Sequence, residues 1–346
     1  MTSPSSCSSV YDMTSLRQIL SHRQSLAPAI NAVLDAFLAK TKRLERRDGR
    51  SSMTDMEREY RELCWRIDKA PGYEASLTIQ TKATKVKNRY RDVLPIEKTR
   101  VKLQKTSDNY INANYIDDGY IACCAPVPAA IPDFWHMVWQ CDVYVVLMLT
   151  NFVERERLKA DLYWDTCPTN VVDFGGIFVQ LLDEEQHSSL RHGFIVRRFK
   201  VWRVDERTQE GESRVIRHFQ LTTWPDHGVL RDFKVVAPLL DAVNSYTREA
   251  SRTHKVKARV VVHCSAGIGR SGTFIAIDIL LKQLHRVLTD KSDSVEEKAR
   301  ALQLAVDIPR VVHRLRSQRP GMVQTPEQYQ MMYQYLAAVI GGNQPW

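Results

Sequence analysis

The sequence predicts an α/β fold: one large domain with a central twisted mixed β-sheet flanked by helices, preceded by a helical extension. Two observations support this prediction. Apolar residues recur at helical spacing through residues 14–46, whereas short strand-like runs follow from about residue 80. The 346 residues, of which 44% are apolar, can also bury a sizeable core. We therefore assign residues 1–50 to a Ser-rich N-terminus and helical extension, and residues 51–341 to the main domain.

The predicted elements follow in order along the chain. Thr54 is the expected N-cap of a helix that precedes the sheet. Two strand-like runs, 193–204 and 213–224, contain segments (193–202 and 215–221) that alternate apolar and polar residues as half-buried antiparallel strands do. Residues 258–264 (ARVVVHC) are almost wholly apolar, which is typical of a central strand covered on both faces.

Helical periodicity marks the last part of the sequence. It begins at residue 272, pauses over a polar break at residues 289–298, and resumes in two closing segments. These segments, 301–318 and 326–340, predict two closing helices.

Composition and charge narrow the class of protein. The net charge of +9 favours an anionic partner such as phosphate, nucleic acid or a membrane surface, although a solvated surface of mixed sign explains it equally well. No long basic arm suggests nucleic-acid binding. The seven cysteines lack metal-ligand spacing and favour free thiols in a reducing compartment. The longest apolar run, Val143–Leu149, is too short to span a membrane, so we expect a soluble cytoplasmic protein. We also expect a monomer and no metal site.

Residues 261–274 (VVHCSAGIGRSGTF) place a thiol and a guanidinium on a loop of small residues. Because the loop joins a predicted strand to a helix N-terminus, its amides and the helix dipole favour an anion. In such a setting the pKa of Cys264 should fall from about 8.5 toward about 3.5–7.5. Arg270 can hold two oxygens of a tetrahedral dianion in a planar fork. Together these groups suit nucleophilic attack on a phosphorus centre.

Two further features of this loop bear on the same chemistry. Glycines at positions 267, 269 and 272 let the backbone approach a ligand closely. The hydroxyl of Ser271 is placed to stabilise the sulfur as a leaving group, although an ordinary helix N-cap is an alternative for this residue.

Six motifs occur together, and as a set they resemble the classical tyrosine-specific, non-receptor protein tyrosine phosphatase family. They are KNRYRDVLP (87–95), DNYINANYI (108–116), PDFWHMVW (132–139), WPDHG (224–228), the cysteine loop and QTPEQY (324–329). The resemblance implies hydrolysis of phosphotyrosine in proteins through a cysteinyl-phosphate intermediate, in a signalling role and without a cofactor. It also implies that residues 51–341 are the catalytic domain and that phosphotyrosine-containing proteins are the partners.

The resemblance assigns roles outside the cysteine loop. Asp226 would be the general acid, and then the base for water, on a mobile loop hinged at Trp224. Tyr90 would set the depth of the cleft, Asp92 would hold the peptide backbone, and Asn88 would support the cysteine loop. A Tyr–Arg–Asp run taken alone fits a strand edge equally well.

Further roles implied by the resemblance concern Arg270 and the water that hydrolyses the cysteinyl-phosphate. Glu154 would orient Arg270, and Lys159 would contact the substrate or the acid loop, unless it belongs to a solvated charge run. Gln324 would position the attacking water with Gln328 beside it, and His263 would tune the thiolate. The remaining substrate-binding residues would be those of the loop itself: Ser265, Ala266, Gly267, Ile268 and Gly269.

The sequence departs from the family pattern at residues 120–128 (YIACCAPVP), where Thr-Gln-Gly-Pro is usual. Three alternatives to a tyrosine-specific enzyme stay open. One is a pseudophosphatase that binds phosphotyrosine as a scaffold, although such proteins usually lose the Cys, the acid or the Arg. The others are dual-specificity and lipid phosphatases. Lipid phosphatases of this chemistry favour lysines inside the loop, where this sequence has Ser, Ala and Ile, and dual-specificity enzymes lack the tyrosine motif at position 90.

Overall fold

The computed structural model describes Tyr11 and residues 13–47, 52–104, 108–186, 193–204, 211–225, 228–230, 233–291 and 293–342. Its helices are α1 (Met13–Ser21), α2 (Pro28–Leu44), α3 (Asp55–Asp68), α4 (Lys82–Lys85), α5 (Ile131–Gln140), α6 (Val236–His254), α7 (Gly269–Thr289), α8 (Val295–Ala305), α9 (Ile308–Arg316) and α10 (Pro326–Gly341).

Its strands are β1 (Arg100–Lys102), β2 (Tyr110–Ile116), β3 (Tyr120–Cys123), β4 (Val143–Met148), β5 (Val153–Glu154), β6 (Arg157–Leu158), β7 (Val172–Asp173), β8 (Phe178–Gln186), β9 (Ile195–Val204), β10 (Gly211–Gln220) and β11 (Arg259–His263).

Nine of the described strands form one mixed sheet in the order β1-β2-β3-β11-β4-β10-β9-β8-β7, and a separate hairpin pairs β5 with β6. The four strands β3, β11, β4 and β10 run parallel. The strands outside them pair antiparallel, including β9 with β10, which confirms the alternation seen in the sequence. Helices flank this sheet, so the predicted α/β fold with a central mixed sheet is confirmed.

The strand β11 lies inside the sheet because its residues are apolar on both faces. Val260 and Val262 pack into the core that contains α7, whereas Val261 packs into the core that contains α5. All three valines are at most 3% exposed. Full burial of one such side chain stabilises the fold by roughly 1.5–3 kcal/mol. The apolar run at residues 258–264 therefore contains a strand that is covered on both faces, as predicted.

The parallel strands end at one edge of the sheet. His263 on β11 lies opposite Cys123 on β3 and Met148 on β4, and Met148 in turn lies opposite Gln220 on β10. In open α/β sheets this edge is where ligands bind. The residues that follow the four strands at this edge include Cys124, Thr150, Trp224 and Cys264.

The predicted N-terminal helical extension is present as α1 and α2, which pack on α7, α8 and α10. Leu34 and Phe37 are buried in the same core as Tyr333 of α10. The rings of Phe37 and Tyr333 stack with centroids 5.8 Å apart, and Lys40 donates to the Tyr333 hydroxyl over 3.1 Å. The helices α2 and α10 therefore share one core. The boundary at residue 50 stays a prediction.

Thr54 caps α3 as predicted, because its side chain accepts a hydrogen bond from the Glu57 amide over 3.1 Å.

The prediction of one closing helix over 301–318 is wrong, since the segment divides into α8 and α9. Pro309 cannot donate within a helix, and in a helix interior it costs about 3 kcal/mol or more. A new helix, α9, begins instead after Asp307, its N-cap, whose side chain accepts a hydrogen bond from the Arg310 amide over 3.1 Å.

The start of α8 also differs from the prediction. It lies at Val295, inside the segment predicted as a polar break, because Ser294 and Glu297 form a capping box there. In the part of the chain that the structure describes, every helix is too short or too polar to cross a lipid bilayer.

Candidate active site

The loop that follows β11 joins the buried strand directly to α7. Cys264 is 4% exposed, and its sulfur accepts a hydrogen bond from the Gly267 amide over 3.3 Å. Burial alone would raise the pKa of the Cys264 thiol. The Arg270 charge, the Ser271 hydroxyl and amide, and the Gly267 amide outweigh this effect, so the pKa lies below its ordinary value. The structure therefore favours a thiolate at this position.

Gly267 brings the loop against β3. Its φ is +69°, and an added Cβ would lie 1.8 Å from the Cys123 carbonyl oxygen, so this position excludes a side chain. Arg319 is fully buried and holds the loop from behind. Its Nε donates to the Gly267 carbonyl over 2.9 Å and its Nη2 to the Ala266 carbonyl over 3.0 Å. Sequence reasoning missed Arg319, although it lies five residues before the QTPEQY motif.

Arg270 is 2% exposed and is clamped by three acceptors. Its Nη1 donates to Glu154 Oε1 over 2.7 Å and to the Trp224 carbonyl over 2.8 Å, and its Nη2 donates to Thr150 Oγ1 over 3.1 Å. The contacts with Glu154 and Trp224 bring together residues that the sequence implied only by resemblance. Thr150 was missed, although it follows the apolar strand β4 at the ligand-binding edge.

Ser271 lies inside α7, whose N-cap is Ile268, so the alternative of a helix N-cap for Ser271 is wrong. Its hydroxyl is fully buried and lies close enough to the Cys264 sulfur to lower the pKa of that thiol. A buried hydroxyl without a partner costs about 1–3 kcal/mol, so the sulfur serves as the partner of Ser271.

The segment at the start of α10 lies against the end of the cysteine loop. Gln328 is 1% exposed, and its Oε1 accepts from the Gln324 amide over 2.9 Å. An added Cβ at Gly269 would lie 2.9 Å from Gln324 Oε1 and 3.0 Å from Gln328 Nε2. The two glutamines therefore lie against the first residue of α7, close to the cysteine loop.

Tyr90 forms one side of the site. Its hydroxyl bonds to Ser265 Oγ over 2.8 Å, and Ser265 Oγ donates to the Lys159 carbonyl over 2.7 Å. Lys159 is 8% exposed, so the alternative of a solvated charge run does not apply to it. Asp92, two residues after Tyr90, is exposed.

Asn88 is connected to the cysteine loop through other side chains. Its Oδ1 accepts from Tyr110 over 2.7 Å and from Asn112 over 2.9 Å. Asn112 in turn accepts from Arg319, the residue that holds the loop, over 3.0 Å.

His263 precedes the cysteine and is fully buried. One ring nitrogen lies 3.0 Å from the Cys264 carbonyl oxygen, and the other lies 2.8 Å from the Tyr163 hydroxyl. Burial lowers the pKa of His263 to about 4, and the charges of Arg89 and Arg270 act in the same direction. The imidazole is therefore neutral near pH 7 and fixes the backbone that carries the thiol. Asp226 and His227 lie outside the described residues.

Comparisons of the sequence with known proteins identify its relatives. The family model described as protein-tyrosine phosphatase matches residues 84–338. The receptor-type tyrosine-protein phosphatase eta of Gallus gallus is 36% identical over 262 residues, which cover 73% of this chain and 16% of that protein. Tyrosine-protein phosphatase non-receptor type 2 of Homo sapiens is 35% identical over 263 residues, which cover 74% of this chain and 56% of that protein.

A solved structure is similar to the fold of this chain. It is described as the structural basis of the PTPN18 fingerprint on distinct HER2 tyrosine phosphorylation sites, and it superposes with a TM-score of 0.69 at 26% identity. The superposition covers 89% of this chain and 99% of that chain.

The fold and the cysteine loop define a buried cysteine at the carboxyl edge of a mixed sheet, in a loop that ends at Arg270. The chain belongs to the protein-tyrosine phosphatase family, which confirms the resemblance seen in the sequence. The chain spans about half the length of the non-receptor relative and under a fifth of the receptor-type relative.

Proposed function

We propose that this protein hydrolyses phosphotyrosine in proteins through a cysteinyl-phosphate intermediate. One observation carries the proposal: a thiol of lowered pKa lies in a loop of backbone amides that ends at an arginine clamped by Glu154. A thiolate is the nucleophilic form of cysteine, and fixed amide and guanidinium donors stabilise the charge that develops on the phosphoryl oxygens.

In the first step the Cys264 sulfur attacks phosphorus and the tyrosine oxygen leaves. Arg270 and the amides of residues 265–269 hold the three non-bridging oxygens. Asp226 protonates the leaving phenolate, and Trp224, whose carbonyl accepts from Arg270, couples the acid loop to the bound phosphate. Lys159 contacts the substrate or the acid loop that carries Asp226.

In the second step water attacks the phosphocysteine, and Cys264 leaves as the thiolate. Gln324 positions the water with Gln328 beside it, and Asp226 takes its proton. Ser271 stabilises the departing sulfur, while His263 keeps the loop backbone in place. The positions of Gln324, Gln328 and His263 around the loop support the roles of these three residues.

The substrate is a phosphotyrosine side chain presented by a protein. Tyr90 walls the cleft through its bond to Ser265, and the exposed Asp92 accepts amide hydrogens from the peptide. We further propose that the protein acts in signalling in the cytoplasm, as a monomer. It needs no cofactor and has no nucleic-acid partner.

Turnover assays separate this function from its alternatives. The protein is incubated with p-nitrophenyl phosphate, a phosphotyrosine peptide, the matched phosphoserine peptide and a phosphoinositide. We expect turnover of the first two only. Binding of the phosphotyrosine peptide without turnover would indicate a pseudophosphatase. Comparable rates on phosphoserine would indicate a dual-specificity enzyme, and preference for the phosphoinositide would indicate a lipid phosphatase.

The substitution Asp226→Ala should lower kcat by about 10²–10⁴-fold while affinity for phosphotyrosine is retained, because only leaving-group protonation is lost. The measurement is kcat on aryl phosphates whose phenols differ in pKa. The deficit should grow with the phenol pKa, and Asp118→Ala, at a carboxylate whose side chain is 93% exposed, is the control. A deficit that is independent of the phenol pKa would place the acid elsewhere.

The substitution Tyr90→Ala should reduce the preference for phosphotyrosine over phosphoserine peptides, because it removes the wall that measures side-chain length. The readout is the ratio of the two kcat/KM values. Tyr90→Phe is the matched control, since it keeps the ring and removes only the hydroxyl that bonds to Ser265. If Tyr90→Ala leaves the ratio unchanged, other residues set the depth of the cleft.

A further inference from the structure

Two adjacent cysteines lie behind the cysteine loop, where the sequence departs from the family pattern. They are Cys123, the last residue of β3, and Cys124, which follows it. Both are buried and neither is in a disulfide. The proposed catalytic steps use neither of them.

The register of the sheet places Cys124 beside Cys264. His263 lies opposite Cys123, and two residues further on the Ala125 amide donates to the Ser265 carbonyl over 3.0 Å. Cys124 and Cys264 lie between these two contacts. Neighbouring strands are about 4.8 Å apart, and disulfides join Cα atoms that are about 4.4–6.8 Å apart.

The same register decides which of the two cysteines faces Cys264. Successive side chains of a strand point to opposite faces, and cross-strand neighbours share a face. Tyr120, Ala122 and Cys264 pack in the core that contains α7, whereas Cys123 and Ala125 pack in the core that contains α5. Cys124 therefore lies on the Cys264 face and Cys123 on the opposite face.

The Cys124 sulfur also contacts the loop. It donates to the Ala266 carbonyl over 3.2 Å and accepts from Arg319 Nη2 over 3.5 Å. Arg319 donates to the same carbonyl and to that of Gly267, so one guanidinium holds both the thiol and the loop.

We propose that Cys124 is the resolving cysteine for oxidised Cys264, so that a peroxide converts this site reversibly into a Cys124–Cys264 disulfide. The thiolate sulfur of Cys264 attacks a peroxide oxygen, which gives a sulfenic acid and hydroxide. The Cys124 sulfur then attacks the Cys264 sulfur, the S–O bond breaks, and the departing hydroxide takes the thiol proton to form water. A dithiol reductant restores both thiols.

The surroundings of the two sulfurs determine which one is oxidised first. Burial raises the pKa of the Cys124 thiol, although the Arg319 charge opposes this, whereas the pKa of Cys264 is lowered. Peroxide reacts with thiolates, so Cys264 is oxidised first and Cys124 reacts only with the sulfenic acid. The disulfide protects Cys264 from irreversible oxidation to sulfinic acid.

The test uses the whole 346-residue chain, treated briefly with hydrogen peroxide, alkylated and digested with trypsin without reductant. Peptide 260–270 holds Cys264, and peptide 106–155 holds Cys123, Cys124 and Cys141, because no Lys or Arg lies between residues 106 and 154. We expect these peptides to be joined in wild type, lacking two hydrogens, and separate again after dithiothreitol.

Matched variants identify the partner of Cys264. Cys124→Ser should abolish the joined peptide, and Cys123→Ser should retain it. Serine can still donate to the Ala266 carbonyl, and Cys124→Ala serves as a second variant if the first is unstable. We also expect peroxide to inactivate Cys124→Ser with less activity recovered by dithiothreitol than in wild type.

Three results would overturn the proposal. They are a joined peptide that survives in Cys124→Ser, one that is lost in Cys123→Ser instead, and wild type in which Cys264 forms only a cyclic sulfenamide with the Ser265 nitrogen or a sulfinic acid. The inference rests on the proposed nucleophile for its activity readout, but the peptide masses do not depend on turnover. A disulfide in an inactive protein would therefore support this inference and contradict the proposed function.

Discussion

Replacing Cys264 with serine is expected to abolish turnover of phosphotyrosine peptides while their binding remains measurable. A serine hydroxyl is not ionised near neutral pH, whereas the surroundings of Cys264 lower the pKa of its thiol. Loss of a nucleophile costs on the order of 10⁶ in kcat. Arg270 and the loop amides remain to hold the phosphate, so affinity should be kept. Steady-state kinetics and calorimetric titration measure the two quantities.

Cys167→Ser is the matched control for this variant, because that cysteine is exposed and its loss should leave kcat unchanged. In wild type, the pH dependence of alkylation by iodoacetate should have its midpoint below the ordinary thiol value of about 8.5. Turnover by Cys264→Ser close to that of wild type would exclude Cys264 as the nucleophile.

Replacing Arg270 with lysine is expected to lower kcat/KM by about 10³-fold or more, since removal of one preorganised donor typically costs about 10²–10³ in kcat. A lysine ammonium keeps the charge but lacks the planar fork. It cannot contact Glu154, the Trp224 carbonyl and Thr150 while also holding two phosphoryl oxygens. Both kcat and the affinity for vanadate, measured as its inhibition constant, should fall.

The control is Arg259→Lys at the opposite end of β11, where the arginine donates to the Cys141 carbonyl over 3.0 Å. That variant should keep wild-type kinetics if it folds, which circular dichroism checks for both proteins. An Arg270→Lys enzyme with unaltered vanadate affinity would show that charge alone, and not the fork, holds the phosphate.

The sequence alone predicted the parts of the site that are local in the chain. The strand before Cys264, the loop and the start of α7 follow one another, so apolar patterning and small residues were enough to place a thiol at a helix N-terminus. The register of β3 against β11, which brings Cys124 beside Cys264, is a non-local pairing. Nothing in residues 120–124 alone specifies it.

Two long-range contacts could not be predicted for the same reason. Thr150 meets Arg270 across 120 positions of sequence, and Arg319 meets Gly267 across 52. Both depend on which strands become neighbours, and hydrophobic periodicity does not determine strand order. The break between α8 and α9 is different, because Asp307 and Pro309 form a local start signal that was present in the sequence.

The packing of α2 on α10 has a consequence for how the chain is made. Lys40 and Tyr333, which bond across this contact, are 293 residues apart. At a synthesis rate of about 5–20 residues per second, α2 leaves the ribosome roughly 15–60 s before its partner. During that interval the apolar face with Leu34 and Phe37 lacks the surface that later covers it. The helix α2 therefore reaches its native packing only after α10 has been made, and until then its apolar face is a surface that a chaperone can bind.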